Sequence, residues 1–445
     1  MNSVVGYKRK LRHQIGSKSK KVSLYSLSIF LVISIFFIPD YIGFSVFNCQ
    51  RVTLLLIWYM ILRNPNRIKE FKNVIFSFRG NAFVLIYLII LLYTAVYRRN
   101  LNTFFNPFFD QLAVLYTMIY LFKVELSVEK FLNLLIRIAY VLCIMGILEF
   151  LLKGSVFLQF EMIPGMVVGD SFRNGQYRIM GPAHHPLGYG LYLLIMTPLV
   201  CFHYRKRAIS LFSHFWLFML IAVNVYLTGS RSTLGLFLLE IFLIFLVSSR
   251  KEKLPVLLIA FYTLITSIIV IMLFYNTSAV QSVLISIAHL VDAALNTKFA
   301  ESLGVDTTTY VLSEDYRKLL PLIFSLDWIN PLIGRGYGYT FNWAYQGFWI
   351  SSIDNYYVNQ YIKVAYPGLI IQLLLYGFFL IKCFRSALCR GSRLAVALSI
   401  CFVLYFVSLW WVDVLGTLDY IFVLFALLYA MDEKYTMVKY KELLE

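Results

Sequence analysis

Residues 254–275 read LPVLLIAFYTLITSIIVIMLFY, without one charged side chain, directly after Arg250-Lys251-Glu252-Lys253. An α-helix needs about 20 consecutive apolar residues to cross the hydrocarbon core of a bilayer. This stretch has that length and predicts a membrane span. Eleven more stretches of the same character surround it, near 22–40, 44–62, 81–97, 104–122, 131–152, 187–203, 209–228, 233–248, 364–381, 394–411 and 414–430. The least apolar are 44–62, which carries Gln50 and Arg51, and 104–122, which carries Asp110. The expected fold is all-α, a polytopic integral membrane protein with about 12 transmembrane helices.

Composition agrees. Of 445 residues, 60% are apolar and 14% charged, against about 45–50% and about 25% in ordinary soluble domains. A water-soluble globule of this size needs more polar surface than the chain supplies. That excludes a cytosolic enzyme, a secreted domain and a disordered chain. The net charge of +17 would suggest a nucleic-acid partner in a soluble protein. Its distribution points to the lipid bilayer instead, and no nucleic acid is expected. With the N-terminus inside, 27 of the 40 Lys and Arg fall in inner segments and 12 in outer ones. Cytoplasmic loops carry such an excess, so both termini are expected in the cytoplasm. The basic head resembles the start of a signal peptide, but no small-residue cleavage site follows it, so the first span reads as a retained anchor.

The chain thus divides into a basic cytoplasmic N-terminus (1–21), a first bundle (22–275) with an outer loop at 153–186, a large extracytoplasmic loop (276–363), C-terminal spans (364–430) and a cytoplasmic tail (431–445). Loops this long are usually functional. In the large one, 279–295 places Val280, Leu284, Ile287, Val291 and Leu295 on one face, an amphipathic helix. Residues 314–328 predict a second short helix, broken at Pro321.

Four outer motifs are candidates for chemistry. Arg178-Ile-Met-Gly181-Pro182-Ala-His184-His185-Pro186 enters the sixth span; it reads as a turn shaped against a ligand or as a helix start with Pro in the first turn. Thr228-Gly229-Ser230-Arg231-Ser232-Thr233 puts an Arg and a helix N-terminus in a short outer loop, suited to phosphate, or to a lipid headgroup with Ser as N-cap. Arg317 precedes Asn330-Pro331-Leu332-Ile333-Gly334-Arg335-Gly336-Tyr337-Gly338, where glycines permit close backbone approach to an anion. A surface turn, with Arg317 paired to Glu314 or Asp315, accounts for it equally. Asp354-Asn355-Tyr356-Tyr357 offers a carboxylate as general base, or an N-cap followed by interfacial aromatics. No P-loop, dinucleotide fingerprint or metal-ligand spacing occurs, and no cofactor is expected.

In this order, over roughly residues 173–376, the motifs resemble the O-antigen ligase and O-antigen polymerase (Wzy-like) family of bacterial polysaccharide-assembly membrane proteins. The resemblance rests on Gly181…His185-Pro186…Gly188, on Ser230-Arg231 with Leu234-Gly235, on Arg317 with the 330–338 strip, and on Asp354-Asn355 with Tyr366-Pro367-Gly368. Members move a glycan from an undecaprenyl-diphosphate carrier to an acceptor hydroxyl on the outer face of the bacterial cytoplasmic membrane. In the ligases, a His before Asn is the proposed base; here Asp354 stands in its place, which tilts the expectation toward a polymerase of exopolysaccharide, capsule or O-antigen. The resemblance implies Asp354, Arg231 and Arg317 as catalytic residues. It implies Arg178, His184, His185, Arg335, Asn355 and Ser230 as substrate contacts, with chain-length regulator and flippase proteins as partners. The alternatives are a ligase acting on lipid A, wall polymer or protein, and a glycolipid flippase or transporter. Transport is disfavoured because the polar motifs gather on one side.

Overall fold

A computed structural model describes residues 23–442 apart from 45–46, 164–171, 174–175, 296, 298 and 303–314. The basic head 1–21 and Glu314 lie outside the described residues. The structure is mostly helical, at 72%. Each apolar stretch named above carries a helix. They are α1 (Leu24–Phe36), α2 (Cys49–Leu62), α3 (Pro65–Ser77), α4 (Asn81–Tyr97), α5 (Asn102–Pro107), α6 (Val114–Val124), α7 (Val128–Leu152), α8 (Pro186–Val200), α9 (Phe215–Leu227), α10 (Arg231–Val247), α11 (Arg250–Phe274), α12 (Ser278–Leu295), α13 (Phe299–Ser302), α14 (Tyr356–Cys389), α15 (Arg393–Ser408) and α16 (Leu418–Glu442). A π-helical turn, Phe108–Ala113, joins α5 to α6, so 104–122 is not one regular helix. α3 is an added element in the segment 63–79. It meets α4 at 91°.

Three helices, α7, α11 and α14, are each long and apolar enough to cross a membrane, and the bent pair α3–α4 passes the same test as one unit. α11 makes the strongest case. None of its 25 residues is buried, and at 1.5 Å per residue it extends about 37 Å. A helix apolar over most of its length and exposed along it is stable only in hydrocarbon. α8 is the opposite case: it is apolar all round and lies at the centre, buried from Gly188 to Val200. A Cβ at Gly190 would collide with Thr233 of α10, so the small residue sets that close approach.

Several of the polar links between segments fall near one end or the other of the helices, while others, such as Trp58 to Thr117 and Gln372 to Tyr87, lie between. One end group joins Arg67 to Glu125 (4.0 Å), Arg205 to Glu129 (3.0 Å) and the Tyr429 hydroxyl to the Ser77 carbonyl (3.0 Å). The other joins Arg51 to Asp110, His184 to Asp40, Gln50 to Asp419 and Asn359 to Asp413. The first group belongs to the segments assigned inside by charge, the second to those assigned outside.

The large loop builds a small core of its own around Leu320, Ile323, Ile329, Phe341 and Ile350, closed by Val358, Tyr361 and Ile362 of α14. Helix α12 forms over 278–295 as expected, and Pro321 starts a 3-10 turn, Leu320–Ser325, after a helical turn at 315–319. A hairpin, β1 (Trp343–Tyr345) with β2 (Phe348–Ile350), was not expected. Its signal was the Gln346-Gly347 turn between alternating aromatics, both turn residues at positive φ.

Candidate functional site

A cavity of about 500 Å³ opens among the segments of the second group. Its walls come from the turn after α1 (Asp40), the first turn of α2 (Asn48–Arg51), α5 and the π turn (Asn106, Asp110), the 182–184 turn, the start of α14 (Gln360, Lys363) and the 414–420 corner. Arg51 is set by the cap of its own helix, since Asn48 Oδ1 accepts the Arg51 backbone N–H at 2.9 Å. Its guanidinium forks onto Asp110, Nε to Oδ1 at 2.8 Å and a terminal nitrogen to Oδ2 at 2.5 Å, and reaches Asn106 Oδ1 at 3.0 Å. Bidentate Arg–carboxylate pairs are strong and geometrically specific. The π turn has a further effect. Asp110 and Gln111 line the polar cavity, while Phe108, Leu112 and Ala113 line a second space.

On the opposite wall His184 Nε2 lies 2.5 Å from Asp40 Oδ1, with the Tyr41 ring edge-on at 5.7 Å. Gly416, at φ +80°, packs against both partners. Gln50 donates to Asp419 at 2.9 Å. The Tyr337 hydroxyl donates to Gln360 Oε1 at 3.2 Å. Burial pushes that phenol up to about 12, so it remains a donor at neutral pH. The Lys363 ammonium sits 5.0 Å from the Tyr337 ring centre. Carboxylates, amides, an aromatic face and two cations make a lining suited to sugar hydroxyls and to an anion.

The residues singled out from sequence have other local partners. Arg317 donates to Asp354 Oδ2 at 3.1 Å, linking the 315–319 turn to the approach of α14; Asp315 pairs instead with Lys318. Arg178 is buried, its Nε on the Thr228 carbonyl at 2.8 Å and its stem against Gly229. Arg335 lies between the rings of Trp328 and Tyr339, each at 5.5 Å, and donates to the Trp328 carbonyl. Arg231 begins α10. None of these four arginines is among the residues lining the cavity, so they do not converge there as one grip on an anion. His185, Ser230 and Asn355 are N-caps, of α8, α10 and α14; their side chains accept backbone N–H groups at 3.1, 3.2 and 3.1 Å. Of the two adjacent histidines, His185 caps a helix and His184 faces the cavity.

The glycine strip also has a structural partner. α14 breaks at Ala365 (φ 57°), two residues before Pro367. Proline has no N–H for the carbonyl four residues back, which is that of Lys363. The backbone N–H of Gly336 takes that carbonyl at 2.9 Å, and the N–H of Arg335 takes the Ile362 carbonyl at 2.7 Å. Tyr337 N–H donates to Thr103 Oγ1 at 3.0 Å. The three successive amides of 335–337, which the sequence offers to an anion, are committed within the protein.

Sequence reasoning missed Asp40, Arg51, Asp110, Gln360, Lys363 and Asp419 as cavity residues. The signal was present in Gln50, Arg51 and Asp110. Polar groups inside otherwise apolar stretches face a bundle interior or a water-filled cavity by default.

The second space is an apolar groove of about 600 Å³ between α2, α3, α4 and the π turn, lined by Trp58, Leu62, Phe76, Leu85, Leu88 and Phe108 among others. It shares α2 and the π turn with the polar cavity. Trp58 lies seven residues from Arg51, about 10 Å along the helix. No protein-family model matches the chain, and no curated protein does.

Proposed function

We propose that this chain is a multi-pass glycosyltransferase of a bacterial cytoplasmic membrane, with about twelve spans and both termini in the cytoplasm. It joins undecaprenyl-diphosphate-linked oligosaccharide repeats on the outer face into an exopolysaccharide, capsule or O-antigen. One observation carries the reading: a polar cavity and an apolar groove share a wall at Phe108–Ala113. An amphiphile with a sugar head and a long hydrocarbon tail fits that pairing, the head in the cavity and the polyprenyl tail in the groove. Two cations stand on the cavity wall beside the diphosphate: Lys363, and Arg51 with its guanidinium held on Asp110. Fixed charge in a site shielded from water stabilises a leaving group more than the same charge in water does.

The ion pairs Arg67–Glu125 and Arg205–Glu129, each between two segments that the charge bias puts inside, support the span assignment. Purified protein in nanodiscs, given lipid-linked repeats alone, is expected to lengthen them. Transfer that starts only when lipid A, wall polymer or protein is added would favour the ligase reading. Carrier crossing in vesicles without bond formation would favour a flippase.

A further inference from the structure

We infer that His184, oriented by Asp40, is the general base that takes the proton from the acceptor sugar hydroxyl in the outer cavity. The assignment rests on the glycosyl-transfer reading above and names the catalytic group within it.

Geometry carries it. His184 lines the cavity with its side chain 15% exposed, enclosed yet reachable. Asp40 binds one ring nitrogen at 2.5 Å, which fixes the ring and favours its protonated form once a proton arrives. Gly416 lies beside the pair, within van der Waals reach of both His184 and Asp40. Asp354, the carboxylate that sequence favours for this task, is held by Arg317 at 3.1 Å and does not line the cavity. His185 cannot substitute, because its Nδ1 accepts the N–H of Leu187 at 3.1 Å.

The step balances without a cofactor. The acceptor O–H bond breaks and its proton passes to the imidazole. The freed oxygen forms a bond to the anomeric carbon of the donor sugar. The bond from that carbon to the phosphate oxygen breaks, and its electron pair leaves on the polyprenyl diphosphate. The proton then returns to water as the product departs.

Other charged and titratable groups face this pair across the cavity: Asp110 with Arg51, Lys363, Asp419, Cys49, Tyr337 and Tyr420, with Tyr41 at the ring edge. Asp40 is a positioning residue, and its role is read from a pH profile. Removing an adjacent carboxylate lowers a histidine's pKa. The rate needs the unprotonated base, so the acidic limb of the profile should move to lower pH in Asp40→Asn.

The test uses the full chain in nanodiscs and the lipid-linked repeat that accumulates in host cells lacking it. General-base catalysis is worth about 100- to 10,000-fold. His184→Gln and His184→Ala should each lose at least about 100-fold in kcat with KM for the repeat little changed. Added imidazole should restore part of the turnover of His184→Ala, which a purely structural role would not allow. A His184→Gln protein with near-parental turnover overturns the assignment, as does a His184→Ala protein that imidazole leaves inactive. An unshifted acidic limb in Asp40→Asn removes Asp40 from it. A parent protein that lengthens no repeat overturns the polymerase reading, and this assignment with it.

Discussion

Gly336 donates its backbone N–H to the Lys363 carbonyl, 2.9 Å away, and that carbonyl is the one Pro367 leaves without an intrahelical donor. The break in α14 and the glycine strip are therefore two halves of one device. An unsatisfied buried carbonyl is costly, and a helix break persists when other backbone supplies the missing bond. The break holds Lys363 and Gln360 at the cavity.

Gly334 lies so close to Lys363 that a Cβ there would overlap its carbonyl, which is backbone and cannot swing aside. Overpacking costs about 1–3 kcal/mol. Gly334→Ala is expected to shorten the half-life of thermal unfolding in nanodiscs severalfold and to lower activity with it. Parental stability would show that the strip stands off the helix.

Arg51 and Asp110 are mostly shielded from solvent, at 11% and 26% exposure. Removing one member of such a pair leaves a poorly solvated charge, a loss of about 3–5 kcal/mol when burial is complete. Arg51→Ala and Asp110→Ala should each lower thermal stability markedly, and the double variant should lose less than their sum. A coupling of about 0.5–3 kcal/mol is expected. Additive losses would mean that the two do not pair.

Arg317 and Asp354 are more exposed, at 28% and 34%, and pairs of that kind contribute about 0–1 kcal/mol. Acting as a strut between the 315–319 turn and α14, the pair should survive reversal of its charges. Arg317→Asp combined with Asp354→Arg is expected to regain most of the polymer length that either single change loses. Failure of the reversed pair, with normal membrane insertion, would return Arg317 or Asp354 to the substrate.

Ala82 lines the apolar groove and is exposed there, so a larger side chain fills the groove without disturbing the bundle. Ala82→Trp should lower kcat/KM about tenfold for a donor on a long polyprenyl chain, taking the groove's share of tail binding as one to two kcal/mol. A donor on a short prenyl chain should be turned over as by the parent. Equal effects on both donors would empty the groove of its proposed role.

The sequence by itself determined the helices. Each apolar stretch named from it carries one, because a run of apolar residues bounded by Asn, Ser or Pro signals is a local property. Ser230 and Asn355 show the same legibility, for each was open to a capping reading and each caps, and the helix start read at Pro186 is there with His185 as its cap. Only the tertiary structure decided the site. Asp40 and His184 are 144 positions apart in the chain, and Arg51 and Asp110 are brought together by the packing of α2 against the π turn. A motif in sequence collects neighbours along the chain. A cavity in a bundle collects side chains from the ends of many helices, and which ends meet is fixed by packing.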